Sequence, residues 1–337
     1  MKNASRDNRL LLGVLGLLAI SVLAGAPFVG INTTPLSAVF ESGSFSKEGE
    51  IFWQIRVPRV LAAFLAGAGL AASGMAFQAM FRNPLATPFT LGVASGAALG
   101  AAIYIRLGLA FAVVGVSGVS LAAFAGAILS ILLVYGLSKS RRGSSTTTML
   151  LAGVAISFFF SSIILFTQYM SDLTNSFRII RWLMGRLEGV GYDSVLNMAP
   201  FVVSGSAIIL YMTHELNLVT TGEELATSRG VDVGRARRLL FFATSLMVGS
   251  IVAVCGPIGF VGMMAPHICR LIIGGNHRYL TPATLLFGGV FLTLCDMLAR
   301  TVIAPAEMPV GIITAVLGGP FFVWLLVGKS AARVGAL

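Results

Sequence analysis

Apolar residues run along this chain in long blocks and not in alternation. Residues 10–31, 107–138, 143–171, 194–213, 239–269 and 308–328 contain no Asp, Glu, Lys or Arg. A helix needs about 20 apolar residues to cross roughly 30 Å of hydrocarbon. Membrane strands would alternate with period two, and these blocks do not. Inside lipid the backbone must satisfy its own hydrogen bonds, which leaves helices as the spanning element. The pattern therefore predicts an all-α, polytopic membrane protein with residues 1–337 as a single transmembrane domain. Ten spans are expected, at 10–30, 58–80, 89–106, 111–137, 148–170, 195–213, 239–255, 257–273, 280–298 and 309–327.

Composition agrees. The chain is 56% hydrophobic and 11% charged, with a mean hydropathy of +0.91, whereas soluble domains carry about 25% charged residues. Small residues let helices approach closely in lipid, where there is little hydrophobic force between them. Gly92, Gly96 and Gly100 share one helix face at four-residue spacing, and ordinary tight packing is the expectation for them. Cys255, Cys269 and Cys295 lie in apolar segments and read as small buried hydrophobes. None of the three histidines pairs with a carboxylate at metal-ligand spacing, so no metal or cofactor is expected on this chain. Gly328-Lys329-Ser330 resembles the end of a phosphate-binding loop, but Val323 stands where that loop needs glycine. No catalytic set is suggested by spacing. The chain reads as a transporter and not as an enzyme.

Charge gives the orientation. With the N-terminus inside, fifteen Lys and Arg fall on the inner side and eight on the outer. This excess follows the positive-inside rule and implies an N-in, C-in topology. Eight outer cations exceed what the rule alone predicts. The basic pI of about 10.2 is spread over loops, which suits anionic membrane lipid and not nucleic acid. The opening segment, ending at Ala24-Gly25-Ala26, resembles a signal peptide. Its apolar run continues through Ile31, so an uncleaved first span is expected.

Polar residues interrupt the hydrocarbon pattern at five places. Arg56-Val57-Pro58-Arg59 stands at the outer mouth of the second span. Its two arginines are expected at the surface, either snorkelling or docking carboxylates of an outer partner. Arg82-Asn83-Pro84-Leu85-Ala86-Thr87-Pro88 joins spans two and three; its prolines stop both helices, and Asn83 is free to cap or to face a pathway. In the inner loop 214–238, Thr221 or Gly222 starts a short helix with Glu223 and Glu224 in its first turn, where anions favour the dipole. Gly230 ends that helix, and a second short helix follows Asp232. The pair reads as a solvated loop or as a docking knob. Gly256 to Arg270 holds glycines and prolines at a sharp outer turn, with His267 making a structural hydrogen bond. Asp296, four residues before Arg300, is a carboxylate inside a span and so a functional candidate, although the spacing lets the two pair.

In order along the chain, these blocks resemble the FecCD or BtuC-like permeases of type II ABC importers for iron–siderophores, haem and vitamin B12. The resemblance runs from about Arg56 to Gly328. It includes Gln78-Ala79-Met80-Phe81-Arg82-Asn83-Pro84-Leu85-Ala86, Leu151-Ala152-Gly153-Val154, Trp182-Leu183-Met184-Gly185, Pro266-His267, Asp296 with Arg300, and Glu307-Met308-Pro309-Val310-Gly311. It implies a ten-helix subunit pairing with a second permease subunit as a homodimer or close heterodimer. It also implies an ABC ATPase dimer seated on the helices at 219–236, through Gly222, Glu223, Glu224, Ala226, Arg229 and Gly230. A periplasmic or lipid-anchored binding protein would dock on Arg56, Arg59 and Arg300, and gates would lie at Asn83 and Leu85 and at Thr146 and Thr147. The implied location is a bacterial or archaeal cytoplasmic (inner) membrane. The implied cargo is a metal chelate, with iron–siderophore first by family breadth and haem or cobalamin next. The rival expectation is an ion-coupled secondary transporter using Asp296.

Overall fold

The computed structural model describes residues 2–30, 35, 47–113, 115–139 and 146–334. Arg141 and Arg142, counted above among the inner cations, lie outside the described residues. The described residues are almost wholly helical: α1 (Lys2–Gly25), α2 (Lys47–Glu50), α3 (Val57–Phe81), α4 (Val93–Arg106), α5 (Gly118–Lys139), α6 (Thr146–Tyr169), α7 (Leu173–Leu183), α8 (Tyr192–Tyr211), α9 (Thr213–Thr221), α10 (Glu223–Ser228), α11 (Val233–Cys255), α12 (Val261–Ile273), α13 (His277–Thr301) and α14 (Val310–Val334). A π-helical turn, Ile51–Arg56, runs from α2 into α3. Seven helical segments are long and apolar enough to cross a membrane, and α4, α12 and α14 are shorter apolar helices. Together they occupy the ten expected positions.

The differences are local and have physical causes. The fourth span was expected from residue 111, but Ala112–Val113 and Val116–Ser117 form a small hairpin and the helix starts at Gly118. Span three was expected from 89, but two turns intervene and Gly92, at φ +82°, opens α4 from a left-handed conformation. Glycine adopts that region without steric cost. The eighth span starts four residues late, because Gly256 and Phe260 both have positive φ and hold the connection extended. The second short helix expected after Asp232 is the first turn of α11, which continues without a break to Cys255. Helix α7 was not foreseen. Asp172 caps it by accepting from Asn175 N at 2.6 Å.

Close backbone packing builds the core around α3, whose apolar window is 83% buried against 17% for α1. A Cβ on Gly67 would sit 2.2 Å from Gly288 O of α13, and one on Gly74 only 1.8 Å from Gly262 O of α12. Only glycine admits such contact, which is the small-residue packing expected in lipid. The Gly92, Gly96 and Gly100 face packs on α5, where added Cβ atoms would meet Ser130 Oγ, Gly126 O and Ala122 O at 2.9, 2.4 and 2.0 Å. By contrast α6 and α14 turn large side chains outward, among them Phe158, Phe159, Phe166, Val323 and Trp324.

Candidate functional site

The polar residues gather at the two ends of the α3–α13 pair. At the outer end, Arg59 donates from Nε and Nη2 to Asp296 Oδ1 at 3.0 and 2.9 Å, and from Nη1 to Glu307 Oε2 at 2.8 Å. Arg300, one turn beyond Asp296 on α13, places Nε 3.2 Å from Asp296 Oδ2 and donates from Nη2 to Ala26 O at 3.4 Å. Arg56 donates to Pro27 O and Phe28 O at 3.1 and 3.3 Å. Cations close to the last carbonyls of a helix complement its dipole. Arg56 and Arg300 thus fasten the 3-10 turn Ala26–Phe28, which follows α1, to the π-helical turn before α3 and to α13.

This geometry corrects the expectation that the arginines stand together at the surface. Arg59 is 8% exposed, Arg300 is 3% exposed and Arg56 is half-buried. Asp296 is fully buried between two guanidinium groups. A lone carboxylate buried here would be costly; two arginines and a second carboxylate, Glu307, balance the charge. The sequence spacing anticipated the Asp296–Arg300 pair. Nothing in the spacing could have linked Arg59 to Asp296 across 237 positions, or to Glu307 across 248. Beside the cluster, Arg181 and Glu188 form an exposed pair at 2.6 Å, and Arg186 is exposed.

At the inner end, α9 and α10 form a knob with its own small core of Leu218, Val219 and Ala226, packed against Val231 and Val233. Gly222, at φ +142°, makes the turn between the two helices, and Gly230, at φ +84°, follows α10. Glu223 and Glu224 lie in the first turn of α10, Ala226 is buried beneath it, and Arg229 is exposed at its end. Glu223 also pairs with Arg237 of α11. Asp232 caps α11 by accepting from Arg235 N at 2.9 Å.

The remaining expected residues are also at inner helix ends. Arg82 ends α3 in a left-handed conformation, and Asn83 Oδ1 accepts from Leu85 N at 2.9 Å, closing a turn that leaves Leu85 exposed. Thr146 and Thr147 open α6, with Thr147 exposed. His267 lies edge-on to Phe321 of α14, ring centroids 6.0 Å apart. Three inner contacts had no sequence signal. Arg270 donates to Gln78 at 2.5 Å, Asn217 bonds to Asn276 and His277, and Glu223 reaches Arg237. Each joins residues from different helices, which a linear pattern does not relate.

Known proteins resemble this chain over most of its length. The cobalamin import system permease protein BtuC of Halobacterium salinarum is 41% identical over 309 residues, covering 90% of this chain and 80% of that protein. The hemin transport system permease protein HmuU of Yersinia pestis is 34% identical over 334 residues, covering 99% of this chain and all of that protein. A solved metal-chelate type ABC transporter in an inward-facing conformation superposes with a TM-score of 0.83 at 32% identity, covering 94% of this chain and 99% of its own. Residues 14–328 match the FecCD transport family, so this chain, a permease with no catalytic role of its own, belongs to that family.

Proposed function

We propose that this chain is the membrane-spanning permease of an ATP-driven importer whose cargo is a metal chelate. The observation that carries the reading is the family match over nearly the whole chain, joined to a fold shared with a metal-chelate type ABC transporter. Two copies, or this chain and a close relative, would form the pathway. A cytoplasmic ABC ATPase dimer would bind the α9–α10 knob through Gly222, Glu223, Glu224, Ala226, Arg229 and Gly230. The outer partner would be a periplasmic or lipid-anchored binding protein, and the membrane the cytoplasmic (inner) one of a bacterium or archaeon. Asn83, Leu85, Thr146 and Thr147, at inner helix ends, are assigned to the inner gate. ATP-driven closure of the ATPase would rock the helices and switch access, the permease contributing differential contacts between states.

The buried cluster refines the docking side. A partner carboxylate would reach half-buried Arg56 first, while Arg59 and Arg300 hold the surface from below. Two of the similar permeases have names stating cobalamin or hemin as cargo. A corrinoid and a haem therefore stand beside ferric siderophore as the chelates to test. Asp296 is already committed to two arginines, which disfavours it as the coupling group of a secondary transporter.

The test is uptake into proteoliposomes holding the permease, its ATPase and its binding protein, offered labelled cobalamin, haemin and a ferric siderophore in turn. Uptake of one chelate that requires both ATP and the ATPase is expected. Uptake by the permease alone, driven by an ion gradient and abolished by Asp296→Asn, would replace this reading with the secondary transporter.

A further inference from the structure

Asn217, in the middle of α9, has no part in the contacts assigned so far, yet its side chain is the polar link between the inner knob and α13. Its Nδ2 lies 3.1 Å from Asn276 Oδ1, and its Oδ1 lies 2.8 Å from His277 N and 2.9 Å from His277 Nδ1. The orientation follows from the network itself. Arg278 N donates to Asn276 Oδ1 at 3.1 Å, so that atom is an acceptor and the Asn217 atom facing it must be the amide nitrogen. The other Asn217 atom is then the oxygen, and a backbone N–H already donates to it. His277 therefore carries its proton on Nδ1. His277 is 2% exposed, and its Nε2 has no hydrogen-bond partner. Asn217 is thus the partner on which the buried imidazole relies.

The two bodies joined here are otherwise differently built. Leu218 and Val219 belong to the knob's small core, whereas Leu216 of the same helix is fully buried in the main bundle core. From His277, α13 runs for 25 residues, about 37 Å at 1.5 Å per residue. It touches α3 backbone to backbone at Gly67 and Gly288 and ends at Asp296 and Arg300 in the outer ion cluster. Pro282 interrupts the hydrogen-bond ladder of α13 near its inner end, but the close contact with α3 supports the helix beyond it, and close-packed interiors pass on displacement.

We propose that Asn217 is the positioning residue of a polar joint through which movement of the α9–α10 knob is passed to α13 and along it to the outer ion cluster. The proposal rests on the reading that an ATPase drives the knob. Removing the joint should leave the knob able to move while the outer end stops following.

The experiment uses the full permease with its ATPase in lipid nanodiscs, with distances between spin-label pairs read before and after trapping with ATP and vanadate. One pair, at Ser228→Cys and Lys139→Cys, reports the inner side; the other, at Tyr169→Cys and Thr301→Cys, reports the outer side. All four positions are exposed, and the three native cysteines are buried. Both pairs should shift in the otherwise native chain. With Asn217→Leu the inner shift should persist and the outer shift should fall to about one third or less. Asn217→Asp keeps an acceptor for both His277 donors but sets its second oxygen against the Asn276 acceptor, so it should restore part of the outer shift and not all of it. An outer shift that survives Asn217→Leu, or an inner shift lost with it, overturns the joint. If Asn217→Leu does not fold, Asn217→Ala takes its place: an outer shift equal to the native one overturns the proposal. Failure of ATP and vanadate to move either pair in the native chain would instead count against the ATPase-driven reading.

Discussion

The two ends of the α3–α13 pair use charge in opposite ways. In the outer ion cluster, Arg59, Arg300 and Asp296 are almost completely buried and Glu307 is partly open. At the inner end, Glu224 and Arg229 face outward, Glu223 is half-exposed, and the only buried charge of the knob's surroundings among those described here is Arg237. Buried ion pairs are costly to assemble and more costly to break, so the outer cluster fixes where three helices meet. Exposed charges contribute little to stability and remain available to a partner. The outer end is therefore held by buried charge, whereas the inner knob has a small core of its own and joins the bundle through Leu216 and a few polar contacts. Such a difference suits a machine driven from the inside.

The contrast can be tested by substitutions graded in effect. Asp296→Ala would leave Arg300 without a carboxylate and Arg59 with Glu307 alone, and a loss of about 3–5 kcal/mol is expected, the range for breaking a buried pair. It should appear as a large drop in melting temperature of the purified permease, and an unchanged melting temperature would refute the buried cluster. Gly67→Val tests the contact between the ends, since a Cβ there meets Gly288 O at 2.2 Å. Overpacking of this kind costs about 1–3 kcal/mol, read as earlier thermal unfolding and a broader gel-filtration peak. Glu223→Gln removes a half-exposed partner of Arg237, so stability should fall by about 1 kcal/mol or less. The yield of co-purified ATPase should fall further than the melting temperature does; equal retention would remove Glu223 from the coupling surface. Arg181→Ala breaks the exposed pair with Glu188, and a change of about 0–1 kcal/mol is expected. A drop as large as that of Asp296→Ala would show that burial does not separate the two kinds of pair.

Burial also changes how docking should be examined. Replacing Arg56 and Arg59 together with glutamate would set a new carboxylate against Asp296 and Glu307, so the chain would lose stability as well as any partner. Arg56→Glu alone, at a half-buried position bonded to carbonyls, separates the two effects.

Much of the fold was legible because lipid imposes a simple rule on a linear pattern. A block without charge and long enough to span becomes a helix, and glycine–proline punctuation divides the block at 239–269 at Gly256-Pro257. Asp232, Gly222 and Gly230 also act as local rules predict, because caps and turns involve neighbours in sequence. The strand pair Ala112–Val113 and Val116–Ser117 was read into the fourth span because it is as apolar as the helix it precedes, and helix α7 escaped notice because it is too short and polar to differ from a loop. The arginines at 56, 59 and 300 were singled out correctly as unusual cations on the outer side. Their surroundings were not legible, because whether a charge faces water or a carboxylate depends on which helix packs beside it.

By itself, the sequence determined that this chain is a bundle of spanning helices and that its inner knob turns at Gly222 and Gly230. These follow from solvent preference and short-range hydrogen bonding, which act residue by residue. Only the tertiary structure decided that Arg59 meets Asp296, that Gly67 admits Gly288, and that Asn217 holds His277. Those pairs bring together residues 60 to 237 positions apart, and it is the packing of helices, not the pattern along any one of them, that selects such partners.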